Sequence, residues 1–192
     1  MSNVIEIRWH GRGGQGAKTA ALLLAQSASQ VGKFVQGFPE YGPERMGAPV
    51  TAFNRISDKE IRIHSSIANP DVVVILDPTL IGGTADVTAG AQDSIFVINT
   101  SKTPQEMREK LKISGGKVFT VDAGKIAEET IGKNIPNTPL MGALIKATGI
   151  IPFEGFLEDT KRQLKKKFKS KPEVIDGNIK AIERAYQEVK SE

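Results

Sequence analysis

A short apolar segment, residues 4–9, leads directly into His10-Gly11-Arg12-Gly13-Gly14-Gln15-Gly16-Ala17-Lys18-Thr19 and then into the helix-forming run 20–25. No other stretch constrains the fold as strongly. Strand, glycine-dense turn and helix form the arrangement in which main-chain N–H groups and a helix dipole converge on an anion. Glycine tolerates positive φ and leaves no Cβ in the way of a ligand. A nucleotide-like anion at this turn is therefore expected, against the plainer reading of a tight βα turn that binds nothing.

Gly11, Gly13 and Gly16 satisfy the G-x-G-x-x-G spacing of a dinucleotide site. Such a site also requires a carboxylate at the end of the second strand to hold the ribose. Here the second strand is residues 34–38, which offers Gln36, and the first acid is Glu40. A phosphate cradle passes this test. An NAD site does not.

The remaining pattern alternates strands and helices. Residues 50–56 alternate apolar and polar like a half-buried strand, and Ile61-Arg62-Ile63 is expected to return beside them as a hairpin. Val72-Val73-Val74-Ile75-Leu76 reads as a central parallel strand covered on both faces. Further strands are expected at 95–99 and 117–121, and helices at 104–111 and 122–130. Thr138-Pro139 reads as a cap followed by proline at the first helical position, with Gly149 closing that helix. The fold class is α/β: a three-layer Rossmann-like or flavodoxin-like, mostly parallel sheet with an antiparallel hairpin insertion and C-terminal helices. All 192 residues are read as one domain, with 153–192 as a helical appendage.

Composition excludes several chemistries. With no cysteine, the chain offers no thiolate to an iron–sulfur cluster, no disulfide and no cysteine nucleophile. His10 and His64 stand apart, without metal-ligand spacing, so no metal site is expected. The longest apolar run is too short to cross a bilayer, and the first residues lack a signal peptide's pattern, which predicts a cytoplasmic protein with no membrane partner. Residues 161–192 hold ten basic and five acidic side chains, concentrated around Lys165-Lys166-Lys167. Without interleaved aromatics this segment does not read as a nucleic-acid site. It suits a solvated helix face or an acidic protein partner.

The loop Gly42-Pro43-Glu44-Arg45-Met46-Gly47-Ala48-Pro49 follows the second strand, so it is expected on the same carboxyl rim as the glycine turn. Arg45 between glycines is suited to grip a phosphate or carboxylate with its charged fork. Arg12 and Lys18 add positive charge, and His10 is a further candidate for hydrogen bonding to a ligand. No nucleophile–base triad is present.

Several motifs in one order carry a resemblance. His10 to Gly16, Phe38-Pro39-Glu40-Tyr41-Gly42-Pro43-Glu44-Arg45-Met46-Gly47-Ala48-Pro49, Pro70-Asp71-Val72-Val73-Val74, Asp77-Pro78-Thr79-Leu80, Thr120-Val121-Asp122-Ala123 and Asn137-Thr138-Pro139-Leu140-Met141-Gly142-Ala143 resemble the gamma subunit of 2-oxoacid:ferredoxin oxidoreductases. The pyruvate and 2-ketoisovalerate enzymes are the nearest in pattern. The family often carries a second arginine where Met46 stands.

The resemblance implies a subunit, inactive alone, of a complex that oxidatively decarboxylates a 2-oxoacid to an acyl-CoA and passes electrons to ferredoxin. Thiamine diphosphate, Mg and [4Fe–4S] clusters would lie on partner alpha, beta and delta subunits. The resemblance further implies that this chain positions coenzyme A, through Gly13, Gly14, Gln15, Gly16, Arg45 and Gly47, with Asn137 and Thr138 beside them. Pyruvate is the expected 2-oxoacid and 2-ketoisovalerate the alternative. A stand-alone NAD(P)- or flavin-dependent oxidoreductase and a purely architectural subunit are the competing functions.

Overall fold

The computed structural model describes residues 4–40, 47–83, 85–169 and 171–192. Seven strands form one sheet: β1 (Ile5–Arg12), β2 (Phe34–Pro39), β3 (Pro49–Ser57), β4 (Val72–Ile75), β5 (Ile95–Asn99), β6 (Lys117–Val121) and β7 (Lys190–Ser191). Their spatial order is β2-β3-β1-β4-β5-β6-β7. The pairs β1–β4, β4–β5 and β5–β6 are parallel, whereas β3 runs antiparallel to both β1 and β2.

The helices are α1 (Ala17–Gln30), α2 (Pro104–Leu111), α3 (Ala123–Ile131), α4 (Asn137–Thr148), α5 (Phe153–Lys167) and α6 (Pro172–Glu188). One face of the sheet packs Ile7, Trp9, Val72, Val74 and Val97 under residues of α1, α3, α4, α5 and α6. The other face packs Val73, Ile75, Phe96 and Ile98 under Met107 and Leu111 of α2 and the irregular stretch around Leu80 to Ala91. β4 has apolar side chains in both cores, which is why its sequence is continuously apolar. The α/β, mostly parallel architecture expected from the sequence is the one found.

Two details depart from the expectation. The antiparallel insertion is present, but β3 pairs with β2 and β1. Residues 61–63 form no strand. The position beside β3 is taken by longer partners on both sides, and Ile63 is left with its side chain exposed. Helix α4 starts at Asn137 with Pro136 as its cap residue, so Pro139 occupies the third helical position and not the first. A proline is tolerated there because the first-turn N–H groups have no intrahelical acceptor.

Residues 153–192 contribute directly to the main core. Phe156, Ala181, Ile182 and Ala185 are fully buried in it, and β7 pairs with β6. The α4–α6 crossing is close. A Cβ on Gly142 would lie 2.2 Å from the carbonyl oxygen of Ile182. In an open helix Gly→Ala stabilises by about 1 kcal/mol. Here the overlap with backbone outweighs that gain, and Gly142→Ala is expected to lower stability by about 1–3 kcal/mol. Thermal unfolding followed by circular dichroism checks this, and a raised midpoint would contradict it.

Candidate functional site

β1 ends at Arg12 and the chain turns through Gly13 to Gly16 into α1. Gly14 and Gly16 have φ of 97° and 85°, so the turn depends on glycine at both positions. Gly16 is the cap residue of α1 and supplies no side-chain hydrogen bond to the helix start. The first turn of α1 also lacks an acidic residue. α4 begins beside it: a Cβ on Gly16 would lie 2.5 Å from Asn137 Nδ2. The Asn137 amide bridges the two helix starts, with Oδ1 accepting from Thr138 N at 2.8 Å and Nδ2 donating to Gly16 O at 3.5 Å. Asn137 and Thr138 are both buried. Two helix N-termini thus converge at Gly16, and their partial positive charges add.

The second glycine loop closes onto the first. Gly13 N donates to Ala48 O at 2.9 Å and Gly47 N to Gly13 O at 3.3 Å. This places Gly47 on the same rim as the glycine turn, as its position after β2 predicts. Arg45 lies outside the described residues.

Asp77, at the end of β4, holds the turn in place. Its Oδ2 accepts from Arg12 Nε at 3.1 Å and from Gln15 Nε2 at 3.0 Å. Its Oδ1 accepts from Thr79 N and Thr79 Oγ1. Burial alone raises the pKa of this carboxyl, but the bonds from Thr79 and Gln15 and the charge of Arg12 outweigh it, leaving the group below its ordinary value.

Arg12 is engaged through all three guanidinium nitrogens by this framework. Besides Asp77, it donates to Gly47 O at 3.1 Å and Thr79 Oγ1 at 3.0 Å. Gln15 is likewise engaged at both ends, since Oε1 accepts from Arg12 N at 2.7 Å. These two side chains shape the cradle, and their hydrogen bonds already go to the protein. Main-chain donors remain: among the described residues, the N–H groups of Gly14, Gly16 and Ala17 have no backbone acceptor, while Gln15 N donates to Arg12 O. An added Cβ at Gly14 would meet nothing within 4 Å among the described residues.

His10 does not reach this cradle as a charged group. It is buried within β1, and its Nε2 has no hydrogen-bond partner among the described residues. Burial, with the neighbouring Arg8 charge, lowers its pKa to about 4, so it is neutral near pH 7. Gln36 donates to Ile63 O and accepts from Arg55, on a strand separated from β1 by β3. In the dinucleotide arrangement the second strand lies beside the first. Here that position is filled by an antiparallel strand.

The basic segment lies on α5. Asp159 is buried against α1, accepting from Ser27 Oγ at 2.8 Å and also from Arg162 and Gln163. Lys161, Lys165 and Lys166 point to solvent. No helix among the described residues is long and apolar enough to cross a membrane.

Comparison with known proteins adds sequence and fold relationships to this geometry. The sequence pattern of the family described as pyruvate ferredoxin/flavodoxin oxidoreductase matches residues 6–188. The pyruvate/ketoisovalerate oxidoreductases common subunit gamma of Thermococcus kodakarensis is 51% identical over 184 residues, spanning 95% of this chain and 96% of the relative. The crystal structure of pyruvate oxidoreductase subunit PORC from Thermotoga maritima superimposes with a TM-score of 0.84 at 45% identity, covering 98% of both chains. The fold also matches 2-oxoglutarate:ferredoxin oxidoreductase from Magnetococcus marinus, solved with 2-oxoglutarate, coenzyme A and succinyl-CoA bound. That match has a TM-score of 0.75 at 21% identity, covers 97% of this chain and 31% of the other, and is a likeness of fold.

Proposed function

The chain belongs to the pyruvate ferredoxin/flavodoxin oxidoreductase family, as a gamma-type subunit of a 2-oxoacid:ferredoxin oxidoreductase, and from that premise we propose that it seats coenzyme A for the complex. The observation that carries this reading is the convergence of α1 and α4 at Gly16, with N–H groups at Gly14, Gly16 and Ala17 that have no backbone acceptor among the described residues. A diphosphate is the ligand group that two helix N-termini and a glycine turn suit best. In this reading Gly13 and Gly47 tie the two loops together, while Gln15 holds the turn's shape. Asn137 and Thr138 fix the start of α4, and Arg45 supplies the charged fork on the second loop.

Thiamine diphosphate with Mg would supply the decarboxylation chemistry and [4Fe–4S] clusters the route of electrons to ferredoxin, all on partner subunits. A cysteine-free chain offers no thiolate to a cluster, and its part in this account is to position the thiol of coenzyme A. Holding that thiol near the reacting centre makes a bimolecular step effectively unimolecular, which is a large rate term. The chain is inactive alone in this account, and the complex works in the cytoplasm. Pyruvate is the proposed 2-oxoacid. The Thermococcus relative is named as common to pyruvate and ketoisovalerate enzymes, which supports 2-ketoisovalerate as the second proposed substrate, with the choice between them made on other subunits in this account.

Arg45→Ala in the assembled enzyme tests the reading. The Michaelis constant for coenzyme A should rise about tenfold, the scale of one charge-assisted contact, with the constant for the 2-oxoacid unchanged. An architectural subunit would leave both constants as they were.

A further inference from the structure

A second cavity opens on the same carboxyl rim, over the ends of β5 and β6. From the strand order it lies two to three strand spacings from the glycine turn, roughly 10–15 Å away. Its volume is about 390 Å³, room for a small organic ligand and more than a lone inorganic ion needs. Four cationic side chains border it, from four separate parts of the chain: Lys102 after β5, Lys125 on α3, Arg184 on α6 and Lys190 on β7.

These cations are not equivalent. Arg184 is engaged with Glu129 at 2.9 Å and Glu188 at 3.0 Å. Lys125 stands 4.0 Å from Glu129. Neither Lys102 nor Lys190 has a carboxylate within ion-pair distance among the described residues, although Lys102 acts on Glu106 at longer range, and against the two carboxylates that line the cavity, Asp122 and Glu188, the four cations leave positive charge in excess. The wall also includes Thr120, which is wholly buried and whose Oγ1 has no hydrogen-bond partner among the described residues. A buried hydroxyl left unpaired is costly and calls for an explanation, such as a ligand. Asp122 lines the cavity too, accepting from Lys125 N as the cap of α3, with acceptor capacity left for hydroxyl donors.

We infer that this cavity is a second ligand site, for a small phosphomonoester that carries free hydroxyl groups. Lys102 and Lys190 meet the phosphate, and Asp122 and Thr120 meet the hydroxyls. The mixed lining selects against a bare phosphate and against a neutral polyol alike. Nothing in this assignment depends on coenzyme A at the glycine turn.

The test is an amide chemical-shift titration of the full chain with ribose 5-phosphate, with ribose and inorganic phosphate as separate comparators. Ribose 5-phosphate should saturate, binding at least tenfold tighter than either comparator, with shifts centred on residues 100–102 and 120–126. The double variant Lys102→Ala, Lys190→Ala should lose about tenfold or more in affinity. Thr120→Val, nearly the same shape, should weaken binding while its thermal midpoint holds or rises, an outcome a purely structural hydroxyl would not produce. Absence of saturation, or unchanged affinity in the double variant, overturns the site. So do shifts confined to residues 11–17 and 137–138, which would place the phosphate in the glycine cradle.

Discussion

Gly16→Ala should cripple the subunit, while Gly14→Ala, two residues away in the same turn, should be tolerated far better. Both positions have positive φ, so each alanine carries the left-handed strain of about 1–2 kcal/mol. The difference lies in what the new methyl meets. At Gly14 there is nothing within 4 Å among the described residues. At Gly16 the methyl would sit 2.5 Å from Asn137 Nδ2 and 2.9 Å from its Cγ.

Asn137 cannot simply swing aside, because it is buried and its Oδ1 accepts from Thr138 N. The start of α4 must move with it, and the two helix N-termini separate. Overpacking adds about 1–3 kcal/mol, for a total of about 2–5 kcal/mol. In a chain of 192 residues that lowers the thermal midpoint by about 4–20 °C. The Michaelis constant for coenzyme A should rise tenfold or more in the assembled enzyme. Equal midpoints and equal constants for the two variants would show that the α1–α4 junction is not what shapes the cradle.

Asp77→Asn is the second large effect. One oxygen of Asp77 receives both Arg12 Nε and Gln15 Nε2, and an amide at that position can turn its oxygen to one environment while presenting N–H groups to the other. Charge-assisted hydrogen bonds contribute about 1.5–3 kcal/mol each when shielded. Asp77 is well covered, but the Arg12 side chain is 35% exposed, so solvent screening brings the expected loss down to about 2 kcal/mol. Released from Asp77, Gln15 no longer holds the turn through Arg12 N, and the main-chain donors at Gly14 to Ala17 lose their common direction. The constant for coenzyme A should rise about tenfold with turnover at saturation nearly intact.

The pH dependence has a definite sign. The folded pKa of Asp77 is depressed, so its stabilisation is complete above the ordinary carboxylate range near pH 4 and disappears as pH falls through the lower folded value. Wild type and Asp77→Asn should therefore differ in stability by a constant amount from pH 5 to 8, converging only in stronger acid. A difference that vanishes already near pH 6 would contradict this assignment.

Much of this structure was legible because local chemistry and global fold agree. Thr103-Pro104 announces α2, and the capping box between Thr103 and Glu106 is present. Gly132 and Gly149 close α3 and α4 in left-handed conformations. The glycine turn declared itself through spacing alone. What stayed hidden depends on contacts distant along the chain. Asp77 reads as a turn residue, and it does cap the short turn at Pro78–Leu80, but its grip on Arg12 and Gln15 crosses more than sixty residues.

The start of α4 illustrates the same limit. Thr138-Pro139 reads as the start signal, yet the helix begins at Asn137, which packs against Gly16 in a contact that no local pattern reveals. Likewise Ile61-Arg62-Ile63 has a strand's composition, yet β3 is already paired on both sides. Arg12 was legible as a cation of the rim, whereas its commitment to Asp77, Thr79 and Gly47 was not.

A structure of the intact oxidoreductase with coenzyme A bound tests the proposal most directly. The diphosphate should accept hydrogen bonds from the main-chain N–H groups of Gly14, Gly16 and Ala17, with the Arg45 guanidinium against it. Coenzyme A held wholly by residues of the other subunits, with those N–H groups facing only water, would contradict it.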